Sequence, residues 1–265
     1  MRAAEVAARH EFLAGEATPT LRDLHLEMAR THRAIERRHL AAGRMHAEHA
    51  DRLAAWGGRS GQPRFLTVVA SVLDVQHVGV SLLHGDRSEA VTVGSDAVAT
   101  AVQDVEFTLG EGPVHDVATS GDPVSVGGAE LRARWPRFAC EVARYGVSSV
   151  AATPMRAAAG CVGVLTVFDP PATRAQPTAM MSAVADALVH SSLLSPESAD
   201  PLDLPLLVGA DHHDVVHQAS GMVAEQFGCD VDDALVVLRA RAFAADEPVA
   251  AIAAEVVHCG LRLDR

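Results

Sequence analysis

Four groups of residues in this chain have types and spacings that suggest chemistry. The first is Asp211, His212, His213 and Asp214, with His217 one helical turn beyond His213. Two imidazoles at i and i+4 share a helix face and could both reach a zinc ion, but no third ligand stands near them in sequence. Carboxylates at a helix start are accounted for by the helix dipole, so a solvated helix start is the preferred reading. The second group is His25, His32, His39 and His46, repeating every seven residues. Seven residues span ~10 Å of helix axis, so two of these rings cannot share one ion without a partner helix. Interface or solvated-face histidines are the simpler reading, with pH-sensitive pairing as the lesser alternative. The third is Gly110-Glu111-Gly112-Pro113-Val114-His115-Asp116, a tight loop entering a helix, with Pro113 near the first helical position. Its backbone amides could hold an anion, whereas a single His115 at a helix start reads as exposed or capping rather than as a haem or metal ligand. The fourth is Arg239 with Arg241, cations in a tail otherwise crowded with carboxylates. They suggest phosphate contacts; the alternative for Arg239 is a surface ion pair with Asp232 or Asp246.

Composition narrows the field. There is no GxSxG, P-loop, HExxH or CxxC pattern, so no enzyme, metal or cofactor is expected. The four cysteines, Cys140, Cys161, Cys229 and Cys259, are scattered, which predicts buried free thiols in a reducing compartment. No run of about eighteen apolar residues exists, and the N-terminal MRAAEVAARHEF has no apolar signal core. A cytoplasmic protein is expected, with no membrane partner. All 22 basic residues are Arg, and the net charge is −12. The charge is uneven: residues 1–62 hold ten Arg against eight acids, and residues 209–265 hold four against ten. A general polyanion-binding surface does not follow from this balance.

The elements that must position these groups fall into three regions. Residues 19–56 predict one long helix with Thr20 as N-cap and Gly43 as its interior break. Leu21, Met28, Ile35 and Ala42 recur every seven residues beside the histidines, which suggests a coiled-coil or helix-pair seam. After a Gly-rich linker at 57–63, helix-like FLTVVASVL, strand-like HVGVSLLHG and EAVTV, and helix-like DAVATAVQDVEF alternate. The loop TLGEGPVHD, an extended DPVSV, a helix around RFACEVARYG and strands VSSVAATPM and CVGVLTVF follow, with a helix from Pro177 to about Leu194 closing the unit. Trp135, Phe138 and Tyr145 are expected to cover the sheet. Short strands mixed with helices around one sheet make this an α+β unit. A Pro- and acid-rich linker at 196–205 leads to three helices: Asp211 to Phe227, Val231 to Phe243, and Glu247 to about His258. Gly228 suits the end of the first helix and Asp230 the N-cap of the second. Apolar faces run through Val216, Ala219, Val223 and Phe227; Val231, Ala234, Leu238 and Ala242; and Val249, Ile252, Ala253 and Val256. So small a core is expected to lean on a partner chain or on preceding helices.

The tail carries a resemblance. Val216, Gln218, Ala219, Gly221 and Met222, then Ala234, Leu238, Arg239 and Ala242, then Ala253, Val256 and Val257 resemble the ANTAR domain, a three-helix RNA-binding module of bacterial transcription antiterminators. FLTVVASVL, QDVEFTLGEGPVHD and RWPRF before GVSSV are similar to the GAF sensor domain found ahead of ANTAR in actinobacterial regulators. The resemblance implies an α+β fold: a GAF-like sensor domain with a central antiparallel sheet at 63–195, a helical region at 1–56 before it, and a three-helix ANTAR module at 209–262. It implies a signal-responsive regulator that binds tandem RNA hairpins in a leader transcript to promote antitermination, as a homodimer, with an unnamed small-molecule signal in the sensor.

The implied RNA-binding residues are Ala219, Ser220, Gly221 and Arg239, with helix packing the stronger reading for Ala219. Ser220 departs from the family, which usually has Lys there, and a phosphate contact goes with it. A lysine at this helix-edge position would run its stem along the surface with its ammonium free. Arg241 lies about 200° around the helix from Arg239 and cannot extend the same patch. Val114 stands where related sequences often carry Cys, so thiol-based sensing at that place is not available. The alternative is a degenerate ANTAR protein acting by dimerisation or protein contact without RNA.

Overall fold

A computed structural model of the chain describes residues 2–58, 63–85, 87–158, 160–170, 177–193, 214–245 and 247–263. Helices α1 (Arg2–Glu16) and α2 (Pro19–Trp56) form an antiparallel hairpin at the N-terminus. The N-cap of α2 is Thr18, not Thr20, because Pro19 takes the first helical position, where its missing N–H costs nothing. Gly43 does not break the helix. The seven-residue seam is not the buried one: Leu21 and Met28 are exposed, and the buried residues of α2 are Ala29, Ala41, Met45 and His49. Contacts with α1 and, further along, with α3 and α8 decide which face of α2 is covered.

Next come α3 (Phe65–Leu73), β1 (His77–Leu83), β2 (Glu89–Gly94), α4 (Ala97–Leu109), α5 (Pro113–Ser120) and β3 (Val124–Gly127). The unit continues with α6 (Gly128–Arg134), α7 (Pro136–Val142), β4 (Ser149–Ala157), β5 (Gly160–Phe168) and α8 (Pro177–Leu188). The sheet has the order β2-β1-β5-β4-β3 with every pair antiparallel. Side chains alternate between its faces with period two. Ala151, Met155, Leu165 and Val167 join α2, α3 and α8 in one core, while Val150, Ala152, Val164 and Phe168 join α4 to α7 in the other. Asp96 caps α4 by accepting from the Val98 and Ala99 amides at 2.8 and 3.1 Å. Trp135 and Phe138 are buried in the second core as expected, but Tyr145 is exposed, carried outward on a short turn after α7.

The tail is α9 (Asp214–Phe227), α10 (Val231–Ala245) and α11 (Val249–Cys259). Gly228 ends α9 with a left-handed φ of 63°, and Asp230 accepts from the Asp233 amide at 2.7 Å. The predicted apolar faces form one core, except that Val231 is exposed and Phe227 only half-buried. Phe107 of α4 is built into that core, so the tail leans on the sensor. The cysteines are free but not buried: Cys140 and Cys259 are exposed, and Cys161 and Cys229 are intermediate. Cys140 sits on the outward side of α7, and Cys259 is the last residue of α11. Among the described residues no helix is long and apolar enough to cross a membrane. The linker at 196–205 and residues Asp211, His212 and His213 lie outside the described residues.

Candidate nucleic-acid interface

The four residues proposed to touch RNA do not form one surface. Ala219 and Ser220 are both 0 % exposed, whereas Gly221, the next residue, is exposed with nothing within 4 Å of where a Cβ would stand. The Ser220 hydroxyl donates to the Val216 carbonyl at 2.9 Å, a local bond that satisfies it without help from water. The surface position expected for a lysine stem at 220 is therefore a packed one. Arg239 points another way, towards the sensor.

The seat of Arg239 is built mainly by α4. The buried residues Ala99, Val102, Gln103, Glu106 and Phe107 follow the three-and-four spacing of a core-facing helix stripe, with two polar groups inside it. Phe107 points into the tail core, and the Arg239 guanidinium carbon lies 5.0 Å from its ring centroid. Gly110, at the end of α4 with φ 63°, lets the arginine come close: a Cβ there would stand 3.1 Å from Arg239 Nη1. Arg239 Nε is buried without a hydrogen-bond partner among the described residues. Burial pulls the Arg239 pKa down, against the opposing pull of the Glu89 and Asp232 charges. Arg239 thus makes a half-buried cation–π contact rather than the alternative surface ion pair with Asp232, and Asp246 lies outside the described residues. On the same side, His217 Nε2 donates to the Glu89 backbone carbonyl at 3.3 Å and the His217 ring meets His84 edge-on at 5.5 Å. Since a carbonyl only accepts, Nε2 carries the hydrogen in this contact.

Glu106 was not visible as a functional residue in sequence. Its Oε1 accepts from the Val114 amide at 2.5 Å and the His115 amide at 3.2 Å, capping α5 from inside the protein. The loop amides expected to hold an external anion are occupied by this carboxyl. Gly112 makes the contact possible: a Cβ there would come within 2.6 Å of Glu106 Cδ. Glu111 does the same for α7, accepting from Arg137 and Phe138 amides at 2.8 and 3.1 Å. Burial first, then the nearby Glu89 charge, drives the Glu106 pKa well above the ordinary carboxyl value, with the two amide bonds opposing. Glu89 keeps some exposed surface as a residue, but its carboxyl is set in dense protein. Burial pushes its pKa up to about 7, while a hydrogen bond from Ser81 and then the Arg239 charge pull the other way. The signal that could have revealed Glu106 is its position: an acid on the core-facing stripe of an otherwise apolar helix.

The histidine stripe finds a partner helix in α1. His10 Nδ1 lies 3.0 Å from His25 Nδ1, and the His10 ring stacks on His32 at 6.0 Å. Among the described residues, no group of three or more His, Cys, Asp or Glu is placed to hold a metal ion. Arg241, on the far side of α10 from Arg239, is exposed and lines a separate apolar groove with Leu261 and Arg262.

Comparison with known proteins assigns both halves of this contact. Residues 63–190 match the GAF domain and residues 209–257 match the ANTAR domain. The chain is a GAF–ANTAR regulator. Both are regulatory rather than catalytic modules, and in this GAF–ANTAR chain Phe107 comes from the first and Arg239 from the second. No curated protein matches the chain. Among solved structures, a domain of a protein described as a two-component sensor histidine kinase from Sinorhizobium meliloti 1021 is similar at 12 % identity and a TM-score of 0.38, covering 48 % of this chain and 86 % of that one.

Proposed function

We propose that this GAF–ANTAR regulator binds tandem RNA hairpins through residues 209–262 to promote antitermination, with residues 63–195 as the sensor that decides when. The observation that carries this is the Arg239–Phe107 contact, because it places the cation expected to meet RNA on the sensor itself. A sensor that holds or releases that cation changes the RNA affinity of the module without any catalytic step. The protein is read as cytoplasmic and not an enzyme. RNA contact is assigned to Arg239 and the exposed Gly221, with Ala219 and Ser220 supporting the helix from within. Phe12 on α1 with Leu21, Leu24 and Met28 on α2 are exposed large apolar residues, and the last three share one helical face. This stripe is the proposed homodimer contact.

The test is a gel-shift titration of the full chain with tandem hairpin RNA at two salt concentrations. Sub-micromolar, salt-sensitive binding that is lost in Arg239→Ala supports the reading. Absence of binding at low salt, in the wild type and in a variant with the Phe107 seat removed, discards it. One observation favours the second reading, a degenerate module acting by dimerisation or protein contact. Ser220 is packed where the family presents a lysine, in a segment with ten acids against four Arg.

A further inference from the structure

Between the sensor and the tail lies a cavity of about 350 Å³ whose wall includes Glu89, Glu106, Phe107, His115, His217 and Arg239. Glu106 is 2 % exposed, and its Oε2 has no hydrogen-bond partner among the described residues, although Oε1 is doubly used. A buried polar atom left in that state costs free energy, and so does the buried Arg239 Nε on the same wall. Two buried carboxyls face one guanidinium here. The other charged groups on the cavity leave that balance in place: Arg87 is exposed and donates to the Thr119 carbonyl at 3.2 Å, and Asp232 is exposed.

We infer that this interdomain cavity is a receptor for a small organic cation with a planar, N–H-bearing head, an amidine or a guanidine, and that Arg239 sits there as its built-in competitor. The wall already accepts a guanidinium over the Phe107 ring. An untethered planar head has donors on several edges, so it can stay on that ring while bonding Glu106 Oε2 and the Glu89 carboxylate. Arg239 is tethered to α10 and does not satisfy Glu106. An anion is disfavoured, because the Val114 and His115 amides are taken and the Glu89 carboxylate repels it. A metal ion is disfavoured because no three ligating side chains converge among the described residues. Entry of the cation displaces Arg239 from Phe107 and Glu89, and the cation of the ANTAR module is turned out. This deepens the sensor role proposed above, and no RNA enters its test, so the two readings fail separately.

The experiment is calorimetric and thermal-shift titration of the full chain with methylguanidinium chloride, beside sodium chloride and sodium acetate at matched concentration. Saturable binding and a rise in Tm are expected with methylguanidinium alone. Arg239→Ala, which vacates the seat, is expected to bind the probe at least about tenfold more tightly. Glu106→Gln keeps an oxygen for the Val114 and His115 amides and is expected to bind at least about tenfold more weakly. Should that variant fail to fold, Glu89→Gln takes its place with the same expected sign. An equal response to sodium chloride, saturable binding of acetate instead, or an Arg239→Ala variant that binds no more tightly overturns the inference.

Discussion

The Arg239 guanidinium on α10 and the Phe107 ring on α4 lie 5.0 Å apart, and they join the ANTAR module to the GAF domain. Phe107→Leu keeps apolar volume in the tail core but removes the ring face. Loss of a partly buried cation–π contact of about 1 kcal/mol is expected to raise affinity for tandem hairpin RNA roughly fivefold. Gel-shift titration checks this; an unchanged affinity would mean that Arg239 does not report on the sensor.

Ser220→Lys restores the residue usual for the family but meets a position with no exposed surface. Burying an ammonium among the packed helices is expected to cost on the order of 3 kcal/mol, seen as a lower Tm, and to leave RNA binding no stronger. Ser220→Ala loses only a hydroxyl bonded to its own helix, so a change within about 1 kcal/mol is expected. A fully stable lysine variant with tighter RNA binding would contradict the packing at 220.

Stability should fall with rising pH because of Glu89. Its folded pKa, about 7, lies above the unfolded carboxyl value. The folded state therefore binds more protons between those two values, and its stability falls as pH rises through that window. Glu89→Gln removes the titration, so its Tm advantage over the wild type should be largest near about pH 8 and absent near about pH 4. Equal Tm differences at both would refute the assignment.

Gly112→Ala puts a methyl group against Glu106 where the carboxyl is pinned by two amides. The carboxyl must leave α5, exposing two buried helix amides and losing the cap, at a cost of about 2 kcal/mol. Denaturant melts read the loss. Glu106→Gln, with no added Cβ, should lose less, and the reverse order would show that the cap is not what Gly112 protects.

Much of the fold was legible because it is encoded locally. The apolar faces of α9, α10 and α11 follow i+3 and i+4 spacing, the strands alternate with period two, and Gly228 and Asp230 announce a helix end and start from their own side chains. Such patterns need only near neighbours in sequence to be satisfied. The order of the GAF and ANTAR motifs was legible for the same reason, as residues in register along short segments.

What sequence could not decide is which surface meets which. Leu21 and Met28 have the spacing of a buried seam, yet α1, α3 and α8 cover another face of α2. Cys140 and Cys259 are apolar enough to be buried but fall on uncovered sides of their helices. Ser220 and Arg239 were equal candidates for the surface; long-range packing buried the first and turned the second onto Phe107. Glu106 shows the difference most directly. Its sequence position says only that an acid lies on a core-facing stripe, and the fold, by bringing the start of α5 to it, makes that acid a cap with one oxygen left over. Residue types and their periods were therefore set by the chain itself. The pairing of faces was settled only in three dimensions, because burial free energy depends on area removed from water and not on sequence separation.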